Sequence, residues 1–176
     1  MKVYETKEIK NIALLGSKGS GKTTLAEAML YECGVIKRRG TVEAKTTTCD
    51  YFPVEKEYGY SVFSTVFYAE FLNKKLNVID CPGSDDFVGN AVTALNVTDT
   101  GVILIDGQYG VEVGTQNIFR TCEQLKKPII FAINQLDGEK ADFDNSLLQL
   151  KEHYGSKVVP IQFPINCGPS FNSMID

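Results

Sequence analysis

A glycine-rich segment near the N-terminus carries residue types that bind phosphate groups. Residues 16–23 read Gly-Ser-Lys-Gly-Ser-Gly-Lys-Thr and match the spacing G-x-x-x-x-G-K-[ST]. Glycines let the backbone curl so that successive amide N–H groups point at phosphate oxygens. We expect Lys22 to reach the β- and γ-phosphates of a nucleotide and the Thr23 hydroxyl to ligate Mg²⁺. The predicted nucleotide contacts in this segment are Ser17, Lys18, Gly19, Ser20, Gly21, Lys22, Thr23 and Thr24.

Two shorter motifs follow predicted strands and would complete a nucleotide site. Asp80 and Gly83 stand in a D-x-P-G turn, which predicts a carboxylate on the metal side and a backbone N–H near a γ-phosphate. Asn134, Gln135 and Asp137 form N-Q-x-D, where GTP-binding proteins use N-K-x-D. A carboxylate accepts hydrogen bonds from guanine N1–H and its amine, whereas adenine presents the opposite pattern, so Asp137 predicts guanine. The shorter stem of Gln135 predicts weaker binding and the same base.

The elements around these motifs predict an α/β fold. Strands are expected at residues 9–15, 61–71, 76–80, 101–106, 129–134 and 158–165, and helices at 23–33, 86–96, 115–125 and 142–154. Strands that alternate with helices predict a mostly parallel sheet with helices on both faces, the architecture of P-loop NTPases. The strand at 61–71 is apolar on both faces and is expected to be buried on both sides. Residues 35–60 show no period, and a loop of that length is generally functional or mobile.

Composition excludes several other classes. The 176 residues, 43% apolar and 23% charged, suit one globular domain, and the net charge of −4 argues against a protein that coats DNA. The apolar runs are too short to cross a membrane, and the charged N-terminus offers no secretory segment. Five cysteines without a Cys-x-x-Cys pair indicate neither a disulfide framework nor a zinc site. We expect a cytoplasmic protein and assume a monomer.

With its three motifs in this order, the sequence resembles the GTP-binding domain of translational GTPases, and that of elongation factor G most closely. Residues 50–62 are similar to the family's first switch loop, T-x-D-[WY]-x-x-x-E-x-x-R-G-I-T-I, with Tyr58 in place of the arginine. On that register Ser61 stands where the family has a threonine that senses Mg²⁺ and the γ-phosphate. The resemblance implies GTP or GDP and Mg²⁺ as ligands, with Thr23, Ser61 and Asp80, the last through water, on the metal side.

Ser84 is the most informative departure from the family. Residues 80–87 are similar to D-x-P-G-H-x-D-F, and Ser84 occupies the position of the histidine. The family's histidine positions the attacking water when the ribosome pushes it toward the γ-phosphate. Serine is shorter and cannot share charge with the transition state, so hydrolysis is expected to fall by about 10²- to 10⁴-fold. Asp85 is a conceivable substitute, whereas Asp86 has its own match in the family pattern.

The resemblance also implies how the chain is divided and what it contacts. Residues 1–157 would be the core of the GTP-binding domain, incomplete at its end, and residues 158–176 the truncated start of an inserted subdomain. The front part of a longer chain is therefore expected, and the ribosome, both RNA and protein, is the expected partner of the full-length chain. The basic run Lys37-Arg38-Arg39 is either a contact with ribosomal RNA or a solvated charge run.

Three functions remain open from the sequence. The first is a GTP/GDP switch that acts on the ribosome in translocation or a related step and hydrolyses GTP slowly. The second is a GTP-dependent ribosome-binding factor that does not use hydrolysis, and Ser84 supports it. The third is a small-molecule kinase with the same glycine-rich phosphate loop at residues 16–23. The N-Q-x-D motif and the segment at 50–62 argue against a kinase.

Overall fold

A five-stranded sheet in the order β2-β3-β1-β4-β5 forms the centre of the computed structural model, which describes residues 2–176. Its strands are β1 (Ile9–Leu15), β2 (Thr65–Phe71), β3 (Lys74–Asp80), β4 (Thr100–Asp106) and β5 (Ile129–Asn134). β1 runs parallel to β3 and β4, β4 runs parallel to β5, and β2 is an antiparallel edge strand. The prediction of a mostly parallel sheet is confirmed.

Five helices accompany the sheet. They are α1 (Lys22–Glu32), α2 (Pro53–Tyr58), α3 (Val88–Val97), α4 (Val113–Gln124) and α5 (Phe143–Tyr154). The Asp142 carboxylate begins α5 by accepting a hydrogen bond from the Asn145 N–H. The four helices expected from the sequence are found within two residues of their predicted bounds, and α2 is a short addition inside the aperiodic loop. Among residues 2–176, no helix has both the length and the apolar character to cross a membrane.

Apolar side chains cover both faces of the sheet. On one face α1 packs over the cluster Leu14, Ala26, Leu30, Cys49, Val78 and Leu104. On the other, α3 and α4 pack over the cluster Ala13, Leu15, Cys81, Ala91, Ala94, Leu95, Ile103, Phe119 and Cys122. Each large side chain buried in this way contributes about 1.5–3 kcal/mol. The carboxyl ends of β1, β3 and β5, where the sequence motifs lie, are thus fixed relative to one another.

Two of the predicted strands are wrong in part. β2 begins at Thr65, and it leaves Val66 69% and Tyr68 55% exposed because it lies at the sheet edge with one face unpacked. Residues 158–165 do not extend the main sheet. Within them β6 (Phe163–Pro164) pairs with β7 (Met174–Ile175) in a separate two-stranded sheet. Pro160 and Pro164 lack the N–H groups that a longer strand would need.

Two leucines of α5 provide a test of this packing. Leu150 is 1% exposed and Leu148 is 55% exposed. Leu150→Ala is expected to lower the free energy of unfolding by about 2–5 kcal/mol, because it removes buried methyl groups and leaves a cavity. Leu148→Ala, the matched control, is expected to change it by less than about 0.5 kcal/mol. Urea unfolding followed by circular dichroism measures both values, and equal losses would contradict the packing of α5.

Candidate nucleotide-binding site

A cavity of about 610 Å³ opens at the carboxyl ends of β1, β3 and β5. Ligands bind at this edge in parallel α/β sheets. The predicted site residues that line it are Lys18, Gly19, Gly21, Lys22, Thr23, Thr24, Ser61, Gly83, Ser84, Asn134, Gln135 and Asp137. Ser17, Ser20 and Asp80 lie outside this lining and contact it by hydrogen bonds from Lys22, Asn134 and Thr23 respectively. The structure therefore brings the three sequence motifs together around one cavity.

The phosphate loop turns sharply into α1. Gly21 precedes the helix with a φ of 93°, a left-handed conformation that favours glycine. The Lys22 ammonium is buried and donates to the carbonyls of Gly16 at 2.9 Å and Ser17 at 2.8 Å. Burial lowers the pKa of Lys22, and the nearby Asp80 carboxylate opposes that shift. A buried cation at a helix N-terminus with unpaired N–H groups suits an anionic ligand.

A chain of hydroxyls and carboxylates connects three segments on the metal side of the cavity. The Thr23 hydroxyl donates to Asp80 at 2.8 Å, and the Ser61 hydroxyl donates to Asp50 at 2.7 Å. The two hydroxyl oxygens are 3.1 Å apart. The chain therefore links the start of α1, the end of β3 and the loop before β2.

The Asp80 carboxylate has an unused oxygen. Asp80 is 2% exposed, and its Oδ1 has no hydrogen-bond partner. Burial raises the pKa of Asp80 to about 7 and raises the pKa of Asp50 as well, while the hydroxyl partners act in the opposite direction. These oxygens match the donor preference of Mg²⁺. Within residues 2–176 no three His, Cys, Asp or Glu side chains converge to hold a metal.

Two buried glutamates organise the loop at 35–60. Glu27 of α1 is fully buried, and its carboxylate accepts hydrogen bonds from the N–H groups of Gly40, at 3.0 Å, and Thr48. Glu55 of α2 is buried as well, and it accepts from the N–H groups of Phe52, Val62 and Phe63. Hydrogen bonds to a carboxylate are among the stronger ones in proteins. The loop that the sequence leaves without a pattern is thus ordered around two acidic side chains.

The turn after β5 is attached to the phosphate loop. The Asn134 side-chain amide donates to the Ser20 carbonyl at 2.9 Å, and the Gln135 amide donates to the Gly19 carbonyl at 2.6 Å. Asp137 is exposed at the cavity, where a carboxylate can meet a base. The two side-chain amides of the motif therefore fix its position relative to the phosphate loop.

The structure also places at the cavity residues that the sequence motifs do not select. They are Arg39, Val42, Glu43, Asp50, Gly59 and Tyr60. Arg39 belongs to the basic run that the sequence leaves as an RNA contact or solvated charges, and it is exposed and lines the cavity. Asp50 and Tyr60 stand inside the segment that resembles a switch loop, which is the one sequence signal that indicates them.

Ser84 lines the cavity beside Gly83. Its hydroxyl donates to Asp86 at 3.4 Å, a long contact with a side chain of its own turn. Ser84 is therefore at the cavity, but its hydroxyl contacts Asp86 and not the phosphate loop.

These features define a P-loop nucleotide-binding domain of the α/β class, and comparison with known proteins gives its family. The family model described as "Elongation factor Tu GTP binding domain" matches residues 7–173. The chain belongs to this family of GTP-binding domains from translational GTPases, and the resemblance seen in the sequence is confirmed.

The chain is similar to several curated translation factors over nearly all of its length. It is 36% identical over 168 residues to "Elongation factor G-like protein" of Thermotoga maritima, covering 96% of this chain and 24% of the relative. It is 32% identical over 175 residues to "Elongation factor G" of Mycoplasma genitalium, covering 99% and 25%. "Peptide chain release factor 3" of Staphylococcus aureus is 35% identical over 176 residues, covering 98% and 34%. The chain spans about a quarter to a third of these relatives.

A solved structure shares the fold. A crystal structure of a protein from Thermus thermophilus superposes with a TM-score of 0.91 and 36% identity, covering 96% of this chain and 25% of that one.

Gly83 and Gly89 provide a matched test of the site. A Cβ at Gly83 would lie 2.7 Å from the backbone nitrogen of Lys18 and 2.8 Å from the carbonyl carbon of Ser17. A Cβ at Gly89 would meet no other atom within 4 Å. Gly83→Ala is expected to weaken GDP binding at least about tenfold, a loss of about 1.4 kcal/mol, because the turn must move away from the phosphate loop. Gly89→Ala is expected to bind GDP as the unmodified protein does. Isothermal titration calorimetry measures both affinities, and an unchanged affinity for Gly83→Ala would contradict this geometry.

Proposed function

We propose that this domain is the GTP/GDP switch of a translation factor that acts on the ribosome, as elongation factor G does in translocation. The observation that carries the proposal is the chain of contacts from Asp50 through Ser61 and Thr23 to Asp80, in which each hydroxyl donates to a carboxylate and the two hydroxyl oxygens lie 3.1 Å apart. It connects the switch-loop segment to the phosphate loop and to β3. A ligand bound among these groups would order all three segments, and its loss would release them.

In this proposal each part of the cavity takes one part of the nucleotide. The phosphates lie on the amides of Ser17, Lys18, Gly19, Ser20, Gly21, Lys22, Thr23 and Thr24, with the Lys22 ammonium on the β- and γ-phosphates and the Gly83 N–H on the γ-phosphate. The base lies against the turn after β5. There the Asp137 carboxylate accepts from guanine, while Asn134 and Gln135 hold the turn against the phosphate loop.

Mg²⁺ would lie beside the phosphates, held by the hydroxyls of Thr23 and Ser61 and, through water, by Asp80. The orphaned buried oxygen of Asp80 supports this assignment because such an oxygen costs free energy unless it gains a partner. The bound ion supplies positive charge that neutralises the phosphate oxygens.

Slow hydrolysis is part of the proposal. Ser84 stands in place of a histidine, and its hydroxyl donates to Asp86 rather than toward the phosphate loop. A ribosome-binding factor that uses GTP without hydrolysing it is therefore a second candidate function. Membership of a GTP-binding family argues against the small-molecule kinase.

For the whole protein we propose the ribosome, its RNA and proteins, as the partner, a cytoplasmic location and a monomeric state. The relatives named elongation factor G and peptide chain release factor 3 support the partner. We further propose that residues 1–157 form the core of the GTP-binding domain and that an inserted subdomain begins at residue 158. The separate sheet of β6 and β7 supports this boundary.

Nucleotide competition tests the choice of base. GTP is expected to displace a fluorescent GDP analogue at least about a hundredfold better than ATP, because adenine would leave the Asp137 carboxylate unpaired. Asp137→Asn is expected to reverse the preference from GTP to xanthosine triphosphate, whose second carbonyl accepts from the new amide. Fluorescence titration measures all three nucleotides. Equal displacement by ATP and GTP would overturn the proposed guanine site.

Ser84→His tests the proposed limit on hydrolysis. Single-turnover GTP hydrolysis by the full-length protein with ribosomes is expected to rise by about 10²- to 10⁴-fold in this variant, because the imidazole can orient the attacking water. Ser84→Ala is the matched control and is expected to leave the rate unchanged. Strong ribosomal stimulation of the unmodified protein, at a rate that Ser84→His does not raise, would contradict the proposal.

A further inference from the structure

Lys18 and Tyr60 form a contact across the mouth of the cavity. The Lys18 ammonium lies 3.6 Å from the centroid of the Tyr60 ring. A cation over an aromatic face is attracted by the negative charge density of the ring. Both side chains line the cavity, Lys18 from the phosphate loop and Tyr60 from the end of the loop at 35–60. The contact therefore bridges two segments that are far apart in the sequence.

Tyr60 immediately precedes Ser61, whose position is held from several sides. The Ser61 hydroxyl contacts Thr23 and Asp50, and the N–H of Val62 donates to Glu55. Before Tyr60, Gly59 ends α2 with a φ of 70° and is exposed. The Lys18 contact thus attaches the segment to the phosphate loop at the point where α2 has ended and the Ser61 contacts begin.

We propose that Lys18 and Tyr60 are positioning residues whose contact holds the switch loop closed over the phosphate loop and keeps the Ser61 hydroxyl beside Thr23. In the nucleotide-free protein this closure slows local opening at residues 60–62. In the nucleotide-bound protein it slows the release of GTP and lowers the Mg²⁺ concentration needed to retain GTP. The second effect rests on the proposed GTP function, whereas the first does not.

The chain contains a matched control pair of the same chemistry. Lys75 lies 5.1 Å from the centroid of the Tyr68 ring, and both residues belong to the β2–β3 hairpin. Neither residue lines the cavity. Substitutions in this pair remove a cation–π contact away from the cavity. They therefore measure the effect of losing such a contact where it does not join the phosphate loop to the switch loop.

Amide hydrogen exchange of the nucleotide-free protein tests closure alone. Lys18→Met and Tyr60→Leu are each expected to speed exchange at Val62 and Phe63, whose N–H groups donate to Glu55, by about 2- to 5-fold, the range for a partly exposed cation–π contact. The double variant is expected to exchange no faster than either single variant. Tyr60→Phe is expected to retain the slow exchange, because the ring and not the hydroxyl makes the contact. Lys75→Met and Tyr68→Leu are expected to leave exchange at Val62 and Phe63 unchanged.

The rate of GTP release tests the functional consequence. With a fluorescent GTP analogue and Mg²⁺, Lys18→Met and Tyr60→Leu are each expected to speed release by about 2- to 5-fold, without further gain in the double variant, and to raise the Mg²⁺ concentration needed for half-maximal retention. Tyr60→Phe is expected to retain slow release. The double variant is needed because Lys18→Met also removes a positive charge near the phosphates. Only the part of the two single effects that does not add in the double variant is assigned to the contact.

The two measurements separate the two proposals. Unchanged exchange in both single variants, or effects that simply add in the double variant, would overturn the positioning role even where GTP binds normally. A protein that binds no GTP but shows the shared effect on exchange would overturn the proposed function and support the contact.

Discussion

The hydrogen bond from the Thr23 hydroxyl to the Asp80 carboxylate is the contact on which the rest of the site depends. It joins the first turn of α1 to the last residue of β3, two elements that the parallel sheet already places side by side. A buried carboxylate is costly unless its oxygens are paired, and one oxygen of Asp80 is left without a partner. The Thr23 hydroxyl also contacts Ser61, so the hydrogen bond to Asp80 helps to fix the position of the loop before β2.

Acidic side chains, together with the apolar packing of Cys49, give the long loop much of its shape. Glu27 and Glu55 together accept five backbone N–H groups from the loop and its margins. With Asp50 and Asp80 they form a group of buried carboxylates near the buried ammonium of Lys22. Burial raises the pKa of Asp50, and the nearby Glu55 and Glu27 carboxylates raise it further. A cation placed here would relieve the repulsion among these carboxylates.

The sequence predicts those parts of the structure in which neighbouring residues act together. The phosphate loop, its strand and its helix are contiguous, so spacing alone indicates their geometry. The exposure of β2 depends on which strand lies at the sheet edge, and no local pattern contains that information. Glu27 occupies an ordinary helical position, and its burial appears only when the loop folds over it. Arg39 reaches the cavity for the same reason, because tertiary contacts direct a loop that has no period of its own.

The far edge of the sheet has a consequence for colloidal behaviour. β5 forms that edge with the sequence Ile-Ile-Phe-Ala-Ile-Asn, which contains no charged residue, and Ile130 is 50% exposed. An uncharged apolar edge is a template on which a second polypeptide can add a strand. Residues 158–162 line the cavity of about 630 Å³ beside β5, and Pro160 among them offers no N–H for such pairing. The edge of β5, with residues 158–162 beside it, is therefore a surface of the sheet on which a second chain could add a strand.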